Sequence, residues 1–290
     1  MSHRVWNWLL CACFCSLLLS SCRQEYKFTP VVSKPLLQAH AHNDYAHKRP
    51  LLDALDHQFT SVEADIHLAK GKLLVAHWWW NRDPKKTFRK LYLNPLRARV
   101  KKNKGCVHPG CPRFILLVDI KTSADSTYRA LHKMLLEYKE MLTSYHKGKV
   151  KKGAVTVIVS GNRPLSFMKK QTTRYAFYDG RPGDLKSKEK ASLIPLVSQK
   201  WSRMFGWSGS GTMPPKQLKK LHAYVKKAHQ QGRMVRFWAT PDRRTSARQQ
   251  LWKVLFKAGV DLINTDDLTG FQQFLLEQRP SLKVGLPAKR

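Results

Sequence analysis

Eight strand-like segments, most of them rich in Val, Leu and Ile, alternate with helix-like segments along this chain of 290 residues. Regular alternation of this kind predicts right-handed βαβ units and a parallel sheet. Eight such units in a chain of this length predict a closed (β/α)8 TIM barrel, which needs roughly 250 residues. The eight segments are residues 36–40, 61–66, 114–120, 154–160, 174–178, 193–197, 234–239 and 261–265.

Two further segments interrupt the alternation. Residues 72–76 predict a hairpin return after a turn at 69–71, and the basic, proline-containing residues 84–112 predict an insertion over the barrel mouth. The sequence shows no second domain, internal repeat or low-complexity tract. We therefore expect one barrel domain over residues 35–280, followed by a basic tail at 281–290.

The first residues have the composition of an export signal. Arg4 precedes an apolar run over residues 8–19, which leads to the sequence Leu-Ser-Ser-Cys ending at Cys22. The run is shorter than the roughly 20 residues of a membrane span and is typical of a signal-peptide core. Its last four residues resemble the lipobox of bacterial lipoproteins, in which the cysteine is acylated. We expect a signal peptide at 1–21, a tether at 22–34 and a lipid anchor on Cys22 at a bacterial cell envelope. Plain secretion and an uncleaved anchor are the alternatives.

Only two cysteines follow Cys22. Cys106 and Cys111 lie in the turn-rich segment Gly-Cys-Val-His-Pro-Gly-Cys-Pro, an even pair in a chain that we expect to be exported. Such a pair favours a disulfide. A zinc site with His108 is the alternative, but it would have only three ligands in an oxidising compartment.

The net charge is +34, from 53 Lys and Arg against 19 Asp and Glu. A field of this sign attracts polyanions, anionic lipid headgroups and acidic substrates. The basic residues are scattered along the chain, whereas nucleic-acid binding favours one stripe or a known motif. We therefore expect a phosphodiester or lipid-derived substrate and a membrane as partners. Nucleic acid is not expected, and no feature predicts a protein partner.

Acidic and basic side chains cluster where the apolar segments end, which is where a parallel barrel exposes its catalytic groups. Glu63 and Asp65 are two residues apart on one strand, so both point to the same face. Asp119 and Lys121 repeat this spacing on the next barrel strand. Three carboxylates predict a hard-cation site for Mg²⁺ or Ca²⁺, and the lysine predicts a group that neutralises negative charge developing at phosphorus.

Histidines end the two neighbouring strand-like segments. His40 and His77 are candidates for an acid/base pair, because imidazole titrates near neutrality. His42 lies two residues beyond His40 and can share its face, so the assignment between these two stays open. We expect His42 and Asn43 to contact the substrate.

Three consecutive tryptophans, Trp78, Trp79 and Trp80, directly follow His77. They could bury an apolar substrate tail or face a membrane interface, which tryptophan favours. A packed lid over the barrel mouth is an equally good alternative.

These clusters resemble the glycerophosphodiester phosphodiesterase and phosphatidylinositol phospholipase C-like superfamily, in particular its "altered inheritance of mitochondria" branch. The resemblance runs from His40 to about Leu276. The matching pieces are His40-Ala41-His42-Asn43-Asp44-Tyr45, Ser61-Val62-Glu63-Ala64-Asp65, Asp119-Ile120-Lys121-Thr122, Val159-Ser160-Gly161-Asn162-Arg163-Pro164, Phe177-Tyr178-Asp179-Gly180-Arg181, Arg236-Phe237-Trp238-Ala239-Thr240-Pro241-Asp242 and the segment 259–268.

The resemblance implies a metal-dependent phosphodiester hydrolase that acts on glycerophosphodiesters or phospholipid headgroups by histidine acid/base catalysis. The superfamily resemblance also implies that His40, His77 and Lys121 are catalytic and that Glu63, Asp65 and Asp119 hold the metal, while Trp238 and Asp266 line the substrate pocket. Three departures put the substrate class in doubt. The first site reads His-Ala-His where glycerophosphodiesterases usually have His-Arg-Gly, the second reads His-Trp where they usually have His-Asp, and Asp119 stands where many have Glu. An Asp at that position, and a cysteine-bounded loop near the site, are closer to the sphingomyelinase D-like branch.

Two other classes of function remain as alternatives. A non-catalytic barrel could hold envelope polyanions on its basic surface, although binding alone does not require the carboxylates and histidines. A metal-dependent barrel hydrolase of amide or sugar bonds is disfavoured by the lysine beside the carboxylates.

Overall fold

The structure is a computed structural model that describes Tyr26 and residues 34–278. The predicted signal peptide, Cys22 and the basic tail at 281–290 therefore lie outside the described residues. No helix in the described part is both long and apolar enough to span a membrane.

The described elements alternate as the sequence predicts. The strands are β1 (Leu36–Ala41), β2 (Phe59–Ala69), β3 (Lys72–Val75), β4 (Phe114–Ile120), β5 (Ser144–His146), β6 (Lys149–Lys151), β7 (Val155–Gly161), β8 (Thr173–Arg174), β9 (Ala176–Gly180), β10 (Leu196–Lys200), β11 (Met234–Trp238) and β12 (Leu262–Thr265). The α-helices are α1 (Leu52–Asp56), α2 (Asn94–Lys102), α3 (Ala124–Leu136), α4 (Leu165–Lys170), α5 (Pro215–Gln230), α6 (Ser246–Lys257) and α7 (Leu268–Glu277).

Eight parallel strands close into a barrel in the order β1, β2, β4, β7, β9, β10, β11 and β12. Closure occurs at β1, where His40 is in register with Ser61 of β2 on one side and with Asn264 of β12 on the other. The predicted (β/α)8 barrel is confirmed, and each predicted strand overlaps an observed one. The largest displacement is in the sixth strand, which begins at Leu196 instead of 193.

The barrel interior has an apolar lower part and a polar upper part. One cluster of buried side chains fills the end where the strands begin: Ile115, Leu117, Ile158, Phe177, Leu196, Met234 and Leu262. Side chains point inward at every second residue, so the next inward positions along these strands are Asp119, Ser160, Asp179, Ser198, Arg236 and Asn264. The apolar plug thus supports a layer of polar side chains near the mouth.

Residues 84–112 begin beside β3 near the mouth but run to the opposite end of the barrel, so the prediction of an insertion over the mouth is wrong. A π-helical turn at Arg89–Leu93 leads into α2, whose Leu96 is buried in the core outside the barrel. The chain then reaches the opposite end, where His108 Nε2 lies 2.8 Å from the carbonyl oxygen of Phe59, the first residue of β2. The segment is the crossover between β3 and β4, and burial of its apolar face draws it along the outside of the barrel.

Cys106 and Cys111 are joined by a disulfide, with their Cα atoms 5.1 Å apart. The bonded sulfurs do not fit the zinc alternative. The disulfide lies at the end of the barrel where the strands begin and not beside the mouth, because Cys111 precedes the start of β4 by three residues.

Candidate active site

Three carboxylates meet at the C-terminal ends of two adjacent strands. Glu63, Asp65 and Asp119 each offer an oxygen within 4.8 Å of the others. Asp65 and Asp119 are direct register partners of β2 and β4, and Glu63 shares the inward face of β2. Barrel pairing therefore assembles the predicted acidic cluster.

Asp65 is the most heavily contacted of the three. Its Oδ2 atom lies 2.8 Å from the Tyr45 hydroxyl, 2.9 Å from Nδ1 of His77 and 3.1 Å from Nζ of Lys121. Its Oδ1 atom is buried and has no hydrogen-bond partner among the described residues. Burial raises the pKa of Asp65, and the charge of Glu63 raises it further, although Lys121 opposes both.

Asp119 lies against the backbone of the next strand. A Cβ atom at Gly161, where β7 ends, would come within 2.2 Å of Asp119 Oδ1, so only glycine fits there. Lys121 Nζ lies 3.1 Å from the same oxygen. Burial raises the pKa of Asp119 to about 6, against the opposing effect of Lys121. Bringing a cation to this site would favour the ionised carboxylates.

Glu63 is held by an arginine that the sequence did not predict. Arg236 of β11 donates through Nη2 to Glu63 Oε2 and through Nε to Asn264 Oδ1, the latter at 3.0 Å. Both members of the ion pair are buried, with side chains 3% and 6% exposed. Burial raises the pKa of Glu63, but Arg236 and the hydrogen bond with His40 outweigh it and hold the pKa below its usual range.

His40 lies beneath the mouth. It is completely buried, with Nδ1 2.7 Å from Ser61 Oγ and Nε2 3.3 Å from Glu63 Oε2. Burial, together with the charge of Arg236, lowers the pKa of His40 to about 4. A neutral ring with both nitrogens bonded to protein is placed to orient Glu63, and this placement argues against direct proton exchange with a substrate.

His42 occupies the position at the mouth. Its side chain is 30% exposed, and Nδ1 lies 2.9 Å from Asp266 Oδ1, whereas Nε2 has no hydrogen-bond partner among the described side chains. Burial opposes protonation, but the hydrogen bond to Asp266 outweighs it and raises the pKa of His42. The adjacent Asn43 has left-handed backbone angles, with φ 47°, and its Oδ1 lies 2.6 Å from the Tyr45 hydroxyl.

His77 is the second imidazole at the mouth, with its side chain 43% exposed. Its Nδ1 atom is bound to Asp65, and its ring meets the edge of Trp78 with centroids 4.4 Å apart. The alternative of a packed tryptophan lid is wrong, because Trp78, Trp79 and Trp80 are 51%, 64% and 60% exposed.

Trp238 lies at the mouth end of β11. It ends β11 in the inward-facing register of Arg236, and Lys200 Nζ at the end of β10 lies 6.0 Å from the centroid of its ring. The structure thus brings all the predicted polar and aromatic site residues to the C-terminal end of the barrel, except that His40 lies below the others.

Sequence reasoning missed the polar layer under the site. Ser160 and Ser198 donate to the two oxygens of the buried Asp179 at 2.7 and 2.6 Å, and Arg181 pairs with the same carboxylate at 2.8 Å. The available signal was a charged or hydroxyl residue at an inward position of an otherwise apolar strand, as at Arg236 in Met-Val-Arg-Phe-Trp.

The three carboxylates fit a divalent cation. Their donor atoms are all oxygens, as Mg²⁺ and Ca²⁺ prefer. The unpartnered Asp65 Oδ1 and the raised pKa values of Asp65 and Asp119 indicate negative charge that the protein itself does not fully compensate.

Two solved structures resemble this one in fold. One is a calcium-dependent phosphoinositol-specific phospholipase C from a Pseudomonas species, 12% identical, with a TM-score of 0.50 over 78% of this chain and 87% of that one. The other is a glycerophosphoryl diester phosphodiesterase from Parabacteroides distasonis, 13% identical, with a TM-score of 0.50 over 85% of this chain and 88% of that one. At these identities the likeness shows the fold alone.

Sequence comparison identifies the family. The "altered inheritance of mitochondria protein 6" homologue of Arthroderma benhamiae is 29% identical over 84% of this chain and 86% of its own length. The protein of that name from Eremothecium gossypii is 29% identical over 82% of this chain and 69% of its own. The glycerophosphoryl diester phosphodiesterase family matches residues 234–269. The AIM6-like phosphodiesterase domain matches residues 31–179, about half of the sequence, and the chain belongs to that family.

Proposed function

We propose that this protein is a divalent-metal-dependent phosphodiester hydrolase acting on glycerophosphodiesters or phospholipid headgroups. The observation that carries the proposal is the cluster of Glu63, Asp65 and Asp119 between the two mouth imidazoles, His42 and His77. Membership of a phosphodiesterase-like family supports the same reaction class.

The carboxylates would hold Mg²⁺ or Ca²⁺, which polarises a phosphoryl oxygen when it is bound. Lys121 contributes a fixed positive charge next to this position, because it lies 3.1 Å from both Asp65 and Asp119 and is 26% exposed. A cation in that place can stabilise the additional negative charge that forms at phosphorus.

His42 and His77 would transfer the protons. Asp266 binds Nδ1 of His42 and Asp65 binds Nδ1 of His77, which leaves Nε2 of each ring for the substrate. This is the arrangement in which a carboxylate fixes the tautomer and orientation of a catalytic imidazole. One ring would deprotonate water or a substrate hydroxyl, and the other would protonate the leaving oxygen. In this proposal His40 is a positioning residue, and His42 takes the catalytic role that the sequence suggested for His40.

The direct test is turnover of a panel containing glycerophosphodiesters, phosphatidylinositol, sphingomyelin and lysophospholipids, with Mg²⁺, with Ca²⁺ and with EDTA. We expect at least one substrate to be cleaved, and EDTA to abolish cleavage. Asp119→Asn should lose both turnover and metal binding measured by calorimetry, whereas Asp125→Asn on the exposed start of α3 should retain both. Turnover of the whole panel that is insensitive to EDTA would refute the metal requirement.

The non-catalytic alternative rests on the net charge of +34. If this alternative holds, the protein should bind polyanions, and Asp119→Asn should leave that binding intact. No substrate should be turned over.

We also propose that acylation of Cys22 anchors the protein at a bacterial cell envelope. The support is the order of a basic residue, a short apolar run and Leu-Ser-Ser-Cys in the sequence. Two acyl chains give stable anchoring, so Cys22→Ser should release the protein from the membrane fraction. Mass spectrometry of the wild-type N-terminus checks the modification, and an unmodified chain starting elsewhere would disprove it.

A further inference from the structure

An exposed aromatic cluster borders the candidate active site. Trp78, Trp79 and Trp80 are 51–64% exposed, and no other tryptophan or phenylalanine of the described residues is exposed to this degree. Exposed apolar surface of this kind is costly in water and is typical of binding surfaces. The three residues are called the tryptophan ledge below.

The tryptophan ledge is an ordered surface. The rings of Trp78 and Trp80 stack with centroids 5.1 Å apart and planes 4° from parallel, and Trp79 meets Trp80 edge-on at 5.7 Å. Trp79–Asn81 form a 3₁₀ turn, and Arg82 Nε donates to the carbonyl oxygen of Trp79 at 2.6 Å. A pre-ordered surface loses little conformational entropy on binding.

Exposed lysines precede and follow the ledge along the chain, on two segments. Lys70 and Lys72 are exposed at the tip of the β2–β3 hairpin, which extends beyond the pairing of β2 with β4. Lys85 and Lys86 are exposed where the chain returns beside β3, since the amide of Val75 donates to the carbonyl of Lys86 at 2.8 Å. Exposed aromatic rings with exposed lysines on both sides in the chain match the chemistry of an anionic membrane interface, where rings enter the headgroup region and lysines meet lipid charges.

We propose that the tryptophan ledge and these four lysines dock the barrel mouth on an anionic lipid bilayer. Charge complementarity favours this occupant, because exposed lysines beside an apolar surface suit anionic lipid headgroups. The ledge contacts His77 through Trp78, so docking brings the mouth to the headgroup level. If the proposed function holds, a lipid phosphodiester could reach His77 without leaving the bilayer.

Vesicle binding tests the proposal without using turnover. The chain from Arg23 to Arg290 contains the whole closed barrel of residues 34–278 and lacks the cysteine that would be acylated. It should co-sediment with vesicles of equal phosphatidylglycerol and phosphatidylcholine more strongly than with phosphatidylcholine alone. Trp79→Ala/Trp80→Ala should weaken partitioning at least about tenfold, which corresponds to about 1.4 kcal/mol. Lys70→Glu/Lys72→Glu should weaken binding to the anionic vesicles.

Two matched controls lie at the opposite end of the barrel. Leu37→Ala removes a side chain that is 60% exposed near the start of β1. Lys149→Glu/Lys151→Glu makes the same charge change on β6, which pairs with β5. Thr143, directly before β5, donates its amide to the carbonyl oxygen of Val155 at the start of β7. Both controls should bind as wild type.

The proposal fails if the wild-type chain binds neither vesicle, or if the controls lose as much binding as the ledge variants. If the wild-type chain binds anionic vesicles but cleaves no substrate, the proposed function is refuted. The ledge then remains a membrane-binding surface.

Discussion

Gly161 and Asp119 lie so close that a Cβ atom on the glycine would stand 2.2 Å from Oδ1 of the carboxylate. Gly161 also has φ +66°, a backbone conformation that costs other residues roughly 1–2 kcal/mol. The glycine at the end of β7 therefore sets the position of a candidate metal ligand on β4.

Gly161→Ala should displace the Asp119 carboxylate. We expect the affinity for Mg²⁺ or Ca²⁺ to fall about 10–100-fold, as for other changes that reposition a metal ligand, and calorimetry would measure it. Gly183→Ala is the matched control, because no atom lies within 4 Å of its Cβ position. Unchanged metal affinity in Gly161→Ala would show that Asp119 is not a ligand.

Asp266→Asn should change the pH dependence of turnover. The wild-type hydrogen bond with Asp266 raises the pKa of His42 against the effect of burial, so removing the charge should lower that pKa. The limb of the pH–rate profile that reports His42 should then move to lower pH, whether the ring acts as acid or as base.

Asp261→Asn provides the comparison for this shift. Asp261 pairs with His229 at 2.8 Å, at the end of the barrel away from the mouth, so this variant should keep the wild-type profile. If Asp266→Asn also keeps it, His42 is not the titrating group.

Arg236→Met should be strongly destabilising. It leaves Glu63 as a buried carboxylate without its cation, a change that typically costs 3–5 kcal/mol, and urea unfolding at pH 7 would measure the loss. Arg49→Met is the comparison, because Arg49 pairs with Asp53 and Asp56 while 45% exposed. Exposed pairs contribute about 0–1 kcal/mol. Equal losses in the two variants would contradict a structural role for the Arg236–Glu63 pair.

How well the sequence predicted each part of the site depends on how far apart in the chain the interacting residues lie. Glu63 and Asp65 were predictable because the two-residue period of a strand fixes their shared face. The Arg236–Glu63 pair was not, since it joins residues 173 positions apart whose contact depends on the register around the whole barrel. The same reason explains why His40 and His42 could not be distinguished: their depth depends on the pairing of β1 with both β2 and β12.

For the crossover segment, a local feature was predicted correctly but its position in the fold was not. The disulfide of Cys106 and Cys111 was predictable from local spacing, but its place in the fold was not. Residues 84–112 are basic and proline-containing, which suggested a surface insertion at the mouth. Their buried Tyr92 and Leu96 instead pack along the barrel wall, a role that only the assembled core reveals.

Replacing both Cys106 and Cys111 by Ser should reduce stability without changing turnover. The closed loop is short, with a sequence separation of 5, so the expected loss is about 2 kcal/mol in the chain-entropy treatment. Turnover should persist because the loop lies at the opposite end of the barrel from the three carboxylates. Urea unfolding and initial rates measured on the same preparation check both statements. A large loss of turnover in a folded variant would contradict this separation.

His108 should make the protein less stable as the pH falls below about 6.5. Its ring is completely buried, with Nε2 donating to Phe59 and Nδ1 unpartnered among the described residues. Burial lowers the pKa of His108 from 6.5 to about 4, so between these values the unfolded chain binds a proton that the folded chain does not. The contribution to stability is complete above pH 6.5 and is lost as the pH falls towards 4, with a loss of about 2 kcal/mol between pH 7 and pH 5.

His108→Gln isolates this effect, because its amide can still donate to Phe59 but does not titrate. The unfolding free energy of this variant should fall less than that of wild type between pH 7 and pH 5, by about 2 kcal/mol. His222→Gln on the exposed face of α5 is the matched control and should follow the wild-type pH dependence. Parallel curves for His108→Gln and wild type would mean that His108 accepts its proton in the folded state as readily as in the unfolded one. Burial would then not hold the ring neutral in the core.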